Sequence, residues 1–146
     1  MKEDYAITIK GRQVYEDEDQ GEICLSALGT YREKDGTRFI LYKEYDDDDA
    51  NVFRTALLKV EPGMVTMSRS GSSTRLILEK GRRHLCLYDT GFGTLTVGVY
   101  TSRLDVDLDD TGGKLEIAYT LDVDSNLSSQ NLLSVEVSPV PEAPEI

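Results

Sequence analysis

The chain has no tryptophan, a single histidine (His84), two cysteines and only four prolines in 146 residues. One histidine and two cysteines without ligand spacing fall short of the three or four donors a zinc site needs, so no metal is expected. Cys24 and Cys86 lie far apart with no CxxC, and are expected as two reduced thiols rather than a disulfide framework. No stretch approaches the roughly 18 consecutive apolar residues of a membrane-spanning helix. The opening residues, MKEDYAITIKG, carry acids where a secretory signal would carry its apolar run. A cytoplasmic protein without a membrane partner is the expectation. Bases are scarce as well: 16 Lys and Arg stand against 27 Asp and Glu, for a net charge of -11. Nucleic-acid binding rests on clustered Lys and Arg, so nucleic acid is not expected as a partner.

What the chain does have is alternation. Tyr5, Ile7 and Ile9 alternate with Ala6, Thr8 and Lys10, and Ile23, Leu25, Ala27 and Gly29 alternate with Cys24, Ser26 and Leu28. Period-2 patterning predicts β-strands, and it recurs over 37–45, 52–61, 64–70, 73–79, 83–90, 93–101, 103–109, 113–123 and 131–138. Turn signals punctuate it at Asp35-Gly36, Glu61-Pro62-Gly63, Ser70-Gly71, Lys80-Gly81, Gly91-Phe92-Gly93 and Gly112-Gly113. Sequential hairpins with short loops predict an all-β fold, an antiparallel up-and-down β-barrel that closes on itself and leaves no edge. A two-sheet sandwich is the alternative, and it would require some long crossing connections. Residues 1–138 read as one domain. Residues 139–146, rich in Pro and Glu, read as a disordered tail, and Asp46–Asp49 as a solvated acidic connection.

Three patterns invite a chemical reading. In Gly91-Phe92-Gly93 a strand follows the glycines where a nucleotide fingerprint needs a helix, so this is a turn and no nucleotide cofactor is expected. His84 and Cys86 share a strand face, but no orienting acid or amide accompanies them, so no catalytic residue is assigned and an enzyme is not expected. DVDLDDTGGKLE (105–116) places acids at calcium-loop positions 1, 3, 5 and 12. Its sixth residue is Asp110 rather than glycine, and Asp105, Asp107 and Asp109 alternate with Leu104, Val106 and Leu108 as on a strand with one wet face.

Four segments carry a wider likeness: AITIKGRQ (6–13), LGTYREKDGTRFILYKEY (28–45), VTMSRSGSSTRLILEKGRRHLCLYDTGFGTLTV (65–97) and GGKLEIAYTLDVDSNLSSQNLLSVEV (112–137). Together they resemble the YwiB-like family of uncharacterised bacterial β-barrel proteins, whose fold is lipocalin-like (calycin-like). The resemblance implies a closed or nearly closed barrel with room for an interior cavity, and it supplies no catalytic residues.

Strand parity then selects candidate ligand-binding residues. Arg69 shares a face with Val65 and Met67, His84 with Cys86 and Tyr88, and Tyr119 with Leu115, Ile117 and Leu121. Inward polar groups are costly to bury without partners. If Arg69, His84, Tyr88 and Tyr119 converge, they form a pocket for a small anionic or amphipathic molecule with an apolar body. The alternative is a filled barrel in which Arg69 pairs with an acid, the protein then serving as a non-enzymatic interaction or structural module. In that case Asp46–Asp49 and residues 104–124 would face a basic partner.

Overall fold

The computed structural model describes residues 4–15, 18–45, 53–89, 92–124 and 126–140. Asp46–Asp49, Thr90, Gly91 and residues 141–146 lie outside that set, together with the expectations attached to them. Ten strands follow one another: β1 (Tyr5–Tyr15), β2 (Glu18–Lys34), β3 (Thr37–Tyr45), β4 (Phe53–Glu61), β5 (Met64–Arg69), β6 (Arg75–Glu79), β7 (Arg83–Asp89), β8 (Thr94–Asp109), β9 (Gly112–Val123) and β10 (Asn126–Pro139). Each pairs antiparallel with its sequence neighbours, and β1 pairs with β10 to close the barrel. The up-and-down barrel is therefore the fold, and the sandwich is excluded. Ten strands close it, two more than the eight of lipocalins.

Strands β1, β3, β5, β7 and β9 finish, and β2, β4, β6, β8 and β10 begin, at one end of the barrel, here called the mouth. The connections β2–β3, β4–β5, β6–β7 and β8–β9 fall at the other end, the base. At the base the β2–β3 hairpin turns through Asp35 (φ 53°) and Gly36 (φ 83°), both left-handed, which is the two-residue turn whose twist matches paired strands. The base is closed by side chains. The Tyr31 hydroxyl donates to the Asp109 carbonyl at 2.6 Å, Arg38 donates to the same oxygen at 3.0 Å, and Tyr5 meets Tyr31 edge-on.

Alternation sends one face of every strand inward, and the lower half of the barrel is solid with it. Ile7, Ile40, Leu58, Val65, Leu78 and Leu115 are each no more than 1% exposed. Gly29 is a point of close approach. A Cβ there would lie 2.2 Å from the Leu41 carbonyl oxygen and 2.3 Å from Ile7 Cδ1, so only glycine lets β2 lie this close to the β3 backbone above Ile7.

One strand departs from the sequence reading. Residues 93–101 and 103–109 were expected as two strands, and they are one, β8. Thr101 pairs with Tyr119 and Arg103 with Ala118, leaving Ser102 unpaired as a β-bulge whose hydroxyl donates to the Ala118 carbonyl at 3.2 Å. The extra residue resets the parity, so that Thr101 and Leu104 both turn inward. A broken alternation with no turn residue is the signature of a bulge. The last strand also runs past the expected boundary at 138: β10 ends at Pro139, and the Val140 amide donates to the Asp4 carbonyl at 3.0 Å.

Candidate functional site

The inner faces change character on the way to the mouth. On β3 the inward series runs Ile40, Tyr42, Glu44, and on β5 it runs Val65, Met67, Arg69. On β9 it runs Leu115, Ile117, Tyr119, and β10 adds Asn131 opposite Tyr119. Apolar residues lie deep and polar ones lie shallow on all of these strands. Between them is a cavity of about 340 Å³, open at the mouth, with Ile9, Leu25, Met67 and Leu133 as apolar walls.

An ion pair is its main polar feature. Arg69 Nε donates to Glu44 Oε1 at 2.6 Å, and the two side chains are 28% and 29% exposed. In register, Arg69 stands opposite Ala56 on β4, and Ala56 stands opposite Tyr42 on β3. Arg69 therefore reaches across a whole strand to meet Glu44, over the small side chain of Ala56. Burial opposes the arginine's charge, and the Glu44 hydrogen bond and negative charge outweigh it, so its pKa is raised. Burial pushes the Tyr42 phenol up, assisted by Glu44 and opposed by Arg69. Tyr119 is raised chiefly by burial too, against the pull of Arg69. Both phenols are thus neutral hydrogen-bonding groups at physiological pH.

Of the four residues singled out in the sequence, the structure gathers three. Arg69 and Tyr119 line the cavity, and Tyr88, 37% exposed at the rim, is within electrostatic reach of both. His84 does not join them. Its Nε2 lies 2.9 Å from Glu79 Oε1, at the junction of β6 and β7. Arg69 is paired with an acid, Glu44, as the filled-barrel alternative expected, yet the pair lines a cavity rather than a filled interior. Glu44, Tyr42, Asn131 and Ala56 were missed. For Glu44 the signal was present: an acid on the same alternating face as Ile40 and Tyr42.

The His84–Cys86 neighbourhood serves the barrel wall. Strands β6 and β7 share a single ladder pair, Arg75 with Leu87. Side chains stitch the rest: the Ile77 amide donates to Cys86 Sγ at 3.3 Å, and the Asp89 amide donates to Thr74 Oγ1 at 2.9 Å. Burial pushes the Cys86 thiol up, the opposite of an activated nucleophile. Asp105, Asp107 and Asp109 stand exposed along β8, with Asp105 paired to Arg103, and among the described residues no group of three or more His, Cys, Asp or Glu side chains comes together.

Comparison with known proteins agrees with this architecture. The crystal structure of the ywiB protein from Bacillus subtilis superposes with a TM-score of 0.76 at 24% identity, covering 97% of this chain and 96% of that one. The curated "Uncharacterized beta-barrel protein YwiB" of Bacillus subtilis (strain 168) is 29% identical over 127 residues, 84% of this chain and 86% of that protein. A model of a domain of unknown function, DUF1934, matches residues 7–135, nearly the whole barrel. The chain belongs to the DUF1934 family.

Proposed function

We propose that the protein is a non-catalytic binder that holds one small amphipathic molecule in the mouth of its barrel. The observation that carries this reading is the uneven filling of the interior, solid at the base and open over about 340 Å³ at the mouth, with a partly buried ion pair on the cavity wall. That volume falls within the range of small-molecule sites, and an apolar cup with a few convergent polar groups is their usual chemistry. A barrel serving structure alone gains more from apolar side chains there than from a partly desolvated Arg–Glu pair. The separation of His84 and Cys86 from the cavity, and the raised thiol of Cys86, support a role without covalent chemistry.

Native mass spectrometry of freshly purified protein, compared with its denatured mass, tests the reading. A reproducible extra mass per chain, lost on denaturation and reduced in Arg69→Met, is the expected result. A bare chain mass throughout favours the second reading, an interaction module. That reading has its own support on the outer face of β7, where Leu85 is 67% and Leu87 48% exposed.

A further inference from the structure

The Arg69–Glu44 contact is made through one nitrogen and one oxygen. Nε of Arg69 donates to Oε1 of Glu44, and among the described residues no protein group partners the terminal nitrogens of Arg69 or Oε2 of Glu44. The wall of the cavity therefore presents unused donors and an unused acceptor from adjoining side chains. The rest of the lining adds no net charge. Tyr42, Tyr119 and Asn131 are neutral hydrogen-bonding groups, and Arg12 at the rim is held by Asp19 through both Nε and Nη2. The protein as a whole carries a net charge of -11.

Resting on the mouth-cavity reading above, we propose that the site selects a neutral ligand whose polar end carries a hydrogen-bond acceptor and donor side by side, as in the cis-amide edge of a lactam, over a carboxylate. An amide carbonyl accepts from Arg69 while the adjoining N–H donates to Glu44, so both charged groups gain a charge-assisted hydrogen bond. A carboxylate offers two acceptors and no donor. To reach Arg69 it must come alongside Glu44, and in a partly dehydrated cavity that like-charge approach opposes it. The apolar walls at Ile9, Leu25, Met67 and Leu133 take the ring or chain behind that edge.

Two probes with similar apolar bodies separate the alternatives: ε-caprolactam, a cis-amide, and cyclohexanecarboxylate, an anion. Binding is followed at pH 7 by the ring signals of Tyr42 and Tyr119 in protein carrying ¹³C-labelled tyrosine, assigned with Tyr→Phe variants. The wild type is expected to bind the lactam at least about tenfold more tightly than the carboxylate, the scale of one charge-assisted hydrogen bond. Glu44→Gln keeps the shape of the side chain and leaves Arg69 an uncompensated cation, and in that variant the order is expected to reverse. A wild type that prefers the carboxylate, or a preference unmoved by Glu44→Gln, overturns the proposal and leaves the cavity reading standing. Silence of both tyrosines toward both probes removes the cavity reading and the proposal with it. The wild-type comparison decides the matter by itself if Glu44→Gln does not fold.

Discussion

Removing one member of the mouth ion pair tests whether the site is built as described. With Nε and Oε1 2.6 Å apart, the centres of the guanidinium and carboxylate groups are about 4 Å apart. At an effective dielectric constant of about 20 that separation corresponds to about 4 kcal/mol of gross attraction, most of it offset by desolvation. Exposed pairs are worth about 0.2–1 kcal/mol, whereas breaking a fully buried pair costs about 3–5 kcal/mol. Side chains 28% and 29% exposed stand between those limits. Arg69→Met is therefore expected to destabilise the protein by about 2–3 kcal/mol, and Glu44→Gln by about 1–2 kcal/mol. The double variant should lose less than the sum of the two, by a coupling energy of about 1–2 kcal/mol. Urea unfolding at pH 7 and 25 °C, read by circular dichroism, gives all four corners of the cycle. Additive losses, or an Arg69→Met variant within about 0.5 kcal/mol of wild type, would refute the pairing and the role of Ala56 in permitting it.

Three further outcomes follow from the barrel. A thiol reagent at pH 8 should label exposed Cys24 quickly and buried Cys86 only on unfolding, so one equivalent per chain reacts in the native protein; two fast equivalents would show that the β6–β7 junction opens freely. Leu78→Ala, at a fully buried side chain opposite Val65 in the filled base, should cost about 2–5 kcal/mol in urea unfolding while leaving probe binding at the mouth unchanged. Asp109 accepts hydrogen bonds from the Thr111 hydroxyl and amide, and these hold its carboxyl below the ordinary aspartate range. Its contribution is present above the unfolded-state pKa of about 3.9 and is lost as the pH falls through the lower folded value, so wild type should exceed Asp109→Ala in thermal stability at pH 7 and match it near pH 2.

Much of the site was legible in part. The inward face of β5 could be read from Val65 and Met67, and that placed Arg69 correctly; the same reasoning placed Tyr119 from Leu115 and Ile117. Glu44 obeyed the same rule on β3 and was passed over, because an acid at the end of an apolar series reads as the strand reaching water. His84 shared a parity with Tyr88 but not a neighbourhood, since four residues along a strand move a side chain about 13 Å.

Alternation and turn residues are local physics. A strand's two faces follow from its own pleat, and Asp35-Gly36 forms its turn from its own backbone preferences, so the all-β class, the hairpin order and the grouping of residues into faces within each regular strand were determined by the sequence alone. Which inward residues meet is not a local property. It depends on closure of β1 against β10, on the bulge at Ser102 that resets parity, and on a small residue, Ala56, standing between Arg69 and Glu44. Those depend on where distant strands stop sliding past one another, and packing around Gly29 and Ile7 in the filled base sets that register. Only the tertiary structure decided that the barrel is solid at one end, hollow at the other, and electrically balanced where it is hollow.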